Sequence, residues 1–234
     1  MNTNLYYYWH RGEHDIPELF KENIDTFKKM NPQFKIHIID DEKFESVCKQ
    51  YQTWFSYWKR LNPKFYGMKS DFVRYVLLYH TGGLYMDIKS QLKIPVEEYI
   101  ADYGDNQNVL ISAHNSQKNW NHIDNIEYRT TPLYVCTSKH RLLRDILDKV
   151  CANIENYKKD YSYSSQGERV RRLTGHYNIR FCVDKFNYND IKIIDPKLVH
   201  KYYITCRGFK GRQTDKEKLY GTTYYSKIKE PLVL

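Results

Sequence analysis

The sequence lacks the local patterns that mark several classes of protein. Its five cysteines are odd in number, and no two stand at the C-x-x-C spacing of zinc sites and redox motifs. No stretch approaches the ~18 consecutive apolar residues of a membrane-spanning helix. The first residues do not form a basic segment followed by an apolar run, as a secretory signal does. We therefore expect an unsecreted, cytoplasmic protein with free thiols in a reducing compartment.

What the sequence does contain is enough apolar material for a core. Hydrophobic residues make up 41% of the 234 residues and aromatic residues 16%, which excludes a fibrous or disordered chain. This length suits one α/β domain and is tight for two, so we expect a single domain over residues 1–234. The 23 tyrosines supply aromatic surface that carries hydroxyl groups, and this weakly favours a polar ligand.

The charge balance is basic. Lysine and arginine number 37 against 28 aspartate and glutamate residues, which gives a net charge of +9. Such a charge attracts nucleotide phosphates, nucleic acid, anionic lipid headgroups or acidic glycans without choosing among them. Part of the excess lies in residues 201–234, which we interpret either as a solvated basic face or as a segment that closes over an anion or contacts a membrane surface.

Hydrophobic periodicity predicts two β-α units at the start of the chain. Leu5–Trp9 is a run of β-formers, and Pro17 stands at the first position of a helical pattern that continues to Met30. Residues 34–38 alternate as a second strand, and Asp40 and Asp41 open a second helix. Two such units predict a mainly parallel sheet with helices on its faces.

The later pattern is less regular. A strong helix is predicted over 68–79, ended by a left-handed cap at Gly82-Gly83, and a short strand over 84–88 follows it. Between these units, residues 51–66 favour a helix. The remaining predictions are strands at 109–112, 133–136, 179–183, 191–194 and 202–205, a helix over 142–154 capped by Thr137-Ser138, a polar loop over 158–172, and a mobile basic segment over 208–221.

The densest group of chemically useful residues spans Ser70 to Lys89. Asp71 and Arg74 stand three apart on a helix, so they share one face as an ion pair or as a donor and acceptor set for a polyhydroxyl ligand. Asp87 lies at the carboxyl end of a strand, where open α/β folds hold ligands. The alternative is that Asp71 and Arg74 form a surface pair and that the two glycines are an ordinary helix cap.

This segment resembles the "SDxxRyxxLyxxGGxYxDxD" block of retaining, nucleotide-sugar-dependent glycosyltransferases of family 32, which are related to the clostridial glucosylating toxins. The block covers about twenty contiguous residues. Its matching positions here are Ser70, Asp71, Arg74, Leu78, Tyr79, Gly82, Gly83, Tyr85 and Asp87. Looser matches in the same order are Tyr8-Trp9-His10, Asn31-Pro32, Ile39-Asp40-Asp41 and Thr174-Gly175.

The resemblance implies a fold and a set of site residues. The fold would be a nucleotide-sugar-binding, Rossmann-like domain of the GT-A type with a mixed, mainly parallel sheet. Residues 1–112 would bind the donor, and residues 113–234 would form the acceptor side with the basic C-terminal segment. The donor site would consist of Tyr8, Trp9, Asp71, Arg74, Gly83, Tyr85 and Asp87. Trp9 would stack on the base, with a buried strand aromatic as its alternative, while Asp71 and Arg74 would hold the donor sugar.

The chain departs from the family pattern at Lys89, which occupies the position of the second aspartate of the D-x-D motif. Asp87 is the first aspartate, where the family holds Mn²⁺ or Mg²⁺ and the diphosphate. Three alternatives follow. Lys89 binds the diphosphate in place of the metal, the metal binds through Asp87, the diphosphate and a late residue such as His200, or the protein binds donor without turnover. The expected catalytic residues are Asp71, Arg74, Asp87 and Lys89.

The expected activity is transfer of a sugar from a UDP- or GDP-sugar to a hydroxyl of a glycan or protein, with retention at the anomeric carbon. The family's acceptor side would include Gly175 and His176, the latter standing where the family's later element has proline. The resemblance also implies that the leaving diphosphate helps to take the acceptor proton, so no protein base is required. The alternative function is nucleotide-sugar binding without transfer. No nucleic-acid-binding motif accompanies the basic charge, so we expect no nucleic-acid partner.

Overall fold

The computed structural model describes residues 1–101, 108–115, 126–157, 165–195, 203–205 and 228–234. Its first part alternates strands and helices in the order β1 (Asn4–Tyr8), a 3₁₀ turn (Glu13–Asp15), α1 (Glu18–Met30), β2 (Lys35–Ile39), α2 (Asp41–Cys48), α3 (Gln52–Arg60), α4 (Tyr66–Thr81), β3 (Gly83–Tyr85), β4 (Ser90–Leu92) and α5 (Val96–Ala101). The later elements are β5 (Val109–Asn115), β6 (Ile126–Val135), α6 (Arg141–Glu155), α7 (Gln166–Leu173), α8 (Tyr177–Lys185), β7 (Ile191–Ile194) and β8 (Tyr203–Thr205).

Six of these strands form one mixed sheet, in the order β2-β1-β3-β6-β5-β7. β1 runs parallel to both β2 and β3, and β5 runs parallel to β7, whereas β6 is antiparallel to β3 and β5. β4 and β8 pair separately as an antiparallel ribbon. The prediction of a mixed, mainly parallel sheet is therefore confirmed.

Hydrophobic clusters cover both faces of the sheet because successive strand residues point to opposite sides. Leu5, Tyr7 and Trp9 of the first strand segment pack on the α1 side with Phe20. Tyr6 and Tyr8 point to the other side, where the helices α2, α3, α4, α6, α7 and α8 supply the buried residues. The alternation in residues 5–9 thus decides which of the two layers each aromatic ring enters.

The helix α4 crosses the interior of the second layer. Ten of its sixteen residues are buried, including Lys69, Asp71 and Arg74. A helix buried on most of its circumference does not show one apolar stripe, and charged groups buried on such a helix have to be paired. α4 ends at Thr81 and is capped by Gly82, whose φ of 70° suits glycine. The ion pair predicted from Asp71 and Arg74 is therefore internal, so the surface-pair alternative is wrong.

Two elements of the second half differ from the sequence predictions. Residues 179–183, predicted as a strand because Ile179, Phe181 and Val183 alternate, belong to α8, where Ile179 and Cys182 are buried at a helical spacing of three. The polar loop predicted over 158–172 is described only from residue 165 onward, and residues 166–172 of it belong to α7. Ser165 caps this helix by accepting a hydrogen bond from the backbone N–H of Glu168, and this Ser-x-x-Glu signal was present in the sequence.

Smaller differences concern the ends of elements. The predicted helix over 142–154 is α6, but the side chain of His140, rather than Thr137 or Ser138, caps it by accepting from Leu142 N. Pro17 is the N-cap of α1, one residue before the first helical position. The strand predicted over 84–88 ends at Tyr85, so Asp87 stands in the turn that follows it. The predicted mobile segment over 208–221 lies outside the described residues.

Candidate active site

The candidate site is built around Arg74, a guanidinium that is only 3% exposed. Its Nη2 atom lies 3.0 Å from Asp71 Oδ1 and 3.4 Å from Asp87 Oδ1, and it donates to Ser70 Oγ over 3.1 Å. The guanidinium also lies over the ring of Tyr85, 4.6 Å from the ring centre. We call Ser70, Asp71, Arg74, Tyr85, Asp87 and Lys89 the Arg74 cluster. Residues of α4, of β3 and of the turn after β3 therefore surround a single buried cation.

Exposure increases through the cluster from Arg74 outward. The side chain of Arg74 is 3% exposed, that of Asp87 23% and that of Lys89 37%. Lys89 Nζ lies 3.9 Å from Asp87 Oδ2, the oxygen that does not face Arg74. Asp87 thus has one oxygen toward the buried cation and the other toward an ammonium group near solvent. A ligand that enters from solvent meets Lys89 and Asp87 before Arg74.

The carboxyl group of Asp71 is held at both of its oxygens. Thr174 Oγ1, which follows α7 in the chain, donates to Asp71 Oδ2 over 3.1 Å, while Arg74 occupies Oδ1. Burial raises the pKa of Asp71 to about 6, although the Arg74 guanidinium favours the carboxylate. Burial alone would lower the pKa of Arg74, but Asp71, Tyr85 and Asp87 raise it above its ordinary value. Arg74 is therefore charged throughout the physiological pH range.

The backbone of Asp87 is fixed by the neighbouring antiparallel strand. Asp87 N donates to Thr131 Oγ1 of β6 over 2.8 Å, and Ser90 N closes a turn by donating to Asp87 O over 2.8 Å. Thr131 is itself 8% exposed. The turn that carries Asp87 and Lys89 is thus anchored to the sheet at its start, which fixes the backbone from which the Asp87 side chain extends.

The described residues do not fit a divalent metal ion. No group of three histidine, cysteine, aspartate or glutamate side chains comes together as a ligand set anywhere in the described ranges. At the motif itself Asp87 is the one carboxylate, and its two oxygens face Arg74 and Lys89. Mg²⁺ needs about six oxygen ligands, and the two carboxylates of the cluster, Asp71 and Asp87, are already balanced by the two cations Arg74 and Lys89. His200, the other candidate ligand, lies outside the described residues.

Tyr8 and Trp9 are both buried at the carboxyl end of β1. Trp9 is 2% exposed, its Nε1 donates to the backbone oxygen of Asp15 over 3.1 Å, and Phe20 packs edge-on against it. The structure therefore favours the alternative of a buried strand aromatic for Trp9. Tyr8 donates its hydroxyl hydrogen to Asp41 Oδ1 over 2.6 Å.

Asp41 links Tyr8 to the residue that precedes Ser70 on α4. Its second oxygen pairs with Lys69, whose ammonium group also lies 4.2 Å from the centre of the Trp58 ring. Burial, followed by the charge of Asp41, raises the pKa of Tyr8 well above its ordinary value, so Tyr8 is neutral. This second polar network adjoins the Arg74 cluster along the same helix.

Gly83 and Tyr85 are explained by packing. Gly83 has a φ of 108°, and a Cβ atom there would lie 2.6 Å from the backbone oxygen of Asn4 on β1. Tyr85 is 1% exposed, and its hydroxyl shares a hydrogen bond of 2.8 Å with Ser70 Oγ. Glycine therefore permits the close pairing of β3 with β1, and Tyr85 lies beneath Arg74 as a support for its guanidinium.

The predicted acceptor-side residues lie in the turn between α7 and α8. A Cβ atom on Gly175 would lie 2.8 Å from Arg171 Cα, so this close turn requires glycine. His176 is the N-cap residue of α8 and its ring packs beside Tyr177, with ring centres 4.7 Å apart. Thr174, immediately before them, is the residue of this turn that bonds Asp71.

Two residues of the site lacked a predicted role in the sequence. Thr131 had no motif around it, and its contact with Asp87 follows only from the pairing of β6 beside β3. Thr174 was noted as part of a short element, but its bond to Asp71 joins residues 103 positions apart. Such contacts arise from tertiary packing, and no local pattern encodes them.

The mixed sheet has the GT-A fold, and the Arg74 cluster lies at the end of its strand β3. Residues 17–104 match the family model described as a glycosyltransferase sugar-binding region containing a DXD motif. This region contains Ser70–Lys89, so the resemblance predicted from that block is confirmed. The fold is similar to that of a solved structure titled "PaToxG Glycosyltransferase", with a TM-score of 0.53 and 15% sequence identity over 94% of this chain and 79% of that one.

Two curated yeast proteins are similar in sequence. The chain is 28% identical over 106 residues to the initiation-specific alpha-1,6-mannosyltransferase of Candida albicans, a match that covers 42% of this chain and 27% of the relative. It is 27% identical over 97 residues to inositol phosphoceramide mannosyltransferase 1 of Schizosaccharomyces pombe, covering 38% of this chain and 28% of the relative. The similarity therefore spans just over a quarter of each relative.

None of the helices in the described ranges is long and apolar enough to cross a bilayer.

Proposed function

We propose that this protein is a retaining glycosyltransferase that uses a nucleotide-diphosphate sugar, a UDP- or GDP-sugar, as its donor. The observation that carries the proposal is the Arg74 cluster, in which two carboxylates and two cations meet at the carboxyl end of β3. Open α/β sheets bind ligands at this edge. The family match covers the same residues, and both yeast relatives are named for mannosyl transfer, which makes mannose the first sugar to test.

In the proposed reaction, Asp71 and Arg74 hold hydroxyl groups of the donor sugar. An ionised carboxylate accepts hydrogen bonds and a guanidinium donates them, so the pair suits a polyhydroxyl ring. The bond from the anomeric carbon to the diphosphate breaks, and a bond to the acceptor oxygen forms on the same face. The acceptor proton passes to the leaving diphosphate. The acceptor is a hydroxyl group of a glycan or protein.

We propose that Lys89 binds the diphosphate and performs the charge-stabilising role that a divalent metal has in relatives with a second aspartate. The ammonium group is 37% exposed beside Asp87 at the open side of the cluster. A fixed cation near the leaving group stabilises the charge that develops as the bond breaks. The poor fit of the described residues to a metal ion supports this role over that of a metal held by Asp87 and His200.

The donor and acceptor parts are proposed to meet at the Arg74 cluster. The donor part, residues 1–112, contains every member of the cluster. The part assigned to the acceptor, residues 113–234, contributes Thr131 and Thr174, which bond Asp87 and Asp71. The acceptor side therefore also has a positioning role for the donor carboxylates, and the turn at Gly175 and His176 directly follows Thr174 in the chain.

The test is a panel of UDP- and GDP-sugars in which donor binding, donor hydrolysis and transfer to simple glycosides are measured separately. We expect binding and turnover with one nucleotide class. Asp87→Asn should reduce turnover at least about 100-fold, because it alters the charge that both Arg74 and Lys89 face. Asp25→Asn, which changes an exposed carboxylate of α1, is the matched control and should leave turnover unchanged.

Binding of a donor without hydrolysis or transfer would favour the alternative function, a nucleotide-sugar-binding protein. The substitution at Lys89 is the observation behind that alternative. Failure of every donor to bind would contradict both.

A further inference from the structure

A cavity of about 420 Å³ lies between the helices α6, α7 and α8. It is separate from the Arg74 cluster, since no member of that cluster is among the described residues that line it. Its volume is at the small end of the ~300–1,000 Å³ typical of ligand sites. The space is thus large enough for a small organic molecule, and no role follows for it from the proposed transfer reaction.

The walls of this cavity are strongly basic. Lys149, Arg169, Arg172 and Arg180 line it, against Asp184 as the one acidic residue among the described lining groups. Arg180 pairs with Asp184 over 3.2 Å, and Arg172 pairs with Glu168 over 2.8 Å. The Arg180 and Asp184 side chains are 39% and 55% exposed, and exposed ion pairs contribute only about 0–1 kcal/mol, so an anion in the cavity would compete with this pair at little cost.

Arg169 gives the cavity a specific hydrogen-bond donor. Its Nε atom is buried and has no hydrogen-bond partner among the described residues, while its Nη1 donates to Gln166 Oε1 over 3.4 Å. A buried N–H group of a charged side chain without an acceptor is costly. An anionic oxygen in the cavity would satisfy it.

The floor of the cavity is held in place by amide hydrogen bonds. Asn153 Nδ2 donates to Arg172 O, Leu173 O and Asn178 Oδ1 over 2.8–3.2 Å. Asn178 is 2% exposed and donates to Leu173 O and Gly175 O. These bonds join the end of α7 to α6 and α8, so the cavity is formed before any ligand arrives, which reduces the ordering cost of binding.

Aromatic rings complete the lining. Tyr157, Tyr177 and Phe181 line the space, with Arg172 lying 4.8 Å from the Tyr177 ring centre and Lys149 lying 4.6 Å from that of Phe181. Aromatic groups next to cations suit a ligand with an apolar ring face and an anionic substituent. We propose that this cavity is a second binding site, which takes a saccharide carrying one phosphate or carboxylate group. The inference does not depend on the proposed transfer reaction.

The experiment is calorimetric titration of the intact protein at low salt with mannose 6-phosphate, glucuronic acid, mannose and inorganic phosphate. We expect the two anionic sugars to bind and neutral mannose to bind at least tenfold more weakly. Arg169→Gln should weaken binding of the anionic sugars about tenfold, because hydrogen bonds between charged groups contribute that much. Arg171→Gln is the matched control, since Arg171 is exposed two residues further along α7 and is not among the lining residues. It should change the affinity less than twofold.

Several results would overturn the proposal. Equal binding of inorganic phosphate and mannose 6-phosphate would indicate an adventitious ion only. Equal losses in the Arg169 and Arg171 variants would indicate general surface charge. Binding to vesicles that contain phosphatidylserine, with no binding of the sugars, would show instead a membrane-docking face around the exposed Phe181. Thermal melting checks that Arg169→Gln folds, and Lys149→Gln, which removes another lining cation, repeats the test if it does not.

Discussion

Arginine side chains lie in different electrostatic surroundings in two regions of this molecule. Arg74 is 3% exposed and is shared by two carboxylates of the same cluster. The arginines of α7 and α8 are partly exposed, and several of them line an open cavity that contains a single described acid. A buried charge has to bring its counter-charges with it, whereas Arg172 and Arg180 at the cavity each pair with one acid, Glu168 and Asp184, and remain partly exposed to solvent. This difference separates a cluster whose charges are satisfied within the protein from a cavity whose partly exposed cations we propose to bind an anion.

Of the substitutions that test this difference, replacement of Arg74 should change the free energy of unfolding most. Arg74→Met leaves Asp71 and Asp87 without their shared cation, and breaking a buried pair in this way costs about 3–5 kcal/mol. We expect the free energy of unfolding in urea to fall by that amount. Arg171→Met, on the exposed face of α7, should change it by about 0.5 kcal/mol or less. Equal effects of the two variants would show that Arg74 is not a structural centre.

The pH dependence of stability tests the burial of Asp71. Its pKa is about 6 in the folded protein and about 3.9 in an unfolded chain. Between those values the folded state holds a proton that the unfolded state has lost. The stability from this group is therefore complete below about pH 4 and is lost as the pH rises through 6.

Asp71→Asn removes the carboxyl group that binds this proton. We expect the free energy of unfolding of the natural protein, relative to the variant, to fall by up to about 3 kcal/mol between pH 4 and pH 8. Urea unfolding of both proteins at a series of pH values measures the difference. A relative stability that instead rises with pH would show that the Arg74 guanidinium outweighs burial and holds the pKa of Asp71 below its ordinary value.

The sequence predicted the first half of the protein better than the second half. The β-α units up to β3 and the Ser70–Lys89 block were correct because hydrophobic period, caps and motif agree there. The face of Trp9 could have been predicted as well, since in a strand it points to the same side as Leu5 and Tyr7, and all three are buried. The prediction that Trp9 stacks on the nucleotide base came from the family resemblance instead.

In the second half, local signals were ambiguous or depended on tertiary contacts. Ile179, Phe181 and Val183 alternate like a strand, yet packing of Ile179 and Cys182 against α6 made the segment helical. Thr131 and Thr174 enter the site only when distant segments meet. The second cavity has no motif, because it is formed by side chains from three separate helices.

We propose above that Lys89 performs the charge-stabilising role of a metal at the donor diphosphate. Titration of the protein with UDP- and GDP-sugars, in Mn²⁺ or in EDTA, tests this role most directly. We predict equal donor affinity of the natural protein in both conditions. Lys89→Asp should lower the affinity about 10- to 100-fold in EDTA, because it removes a hydrogen bond between charged groups. Mn²⁺ should restore affinity to this variant, since it regains the second aspartate. Donor binding by the natural protein only when Mn²⁺ is present would contradict the claim.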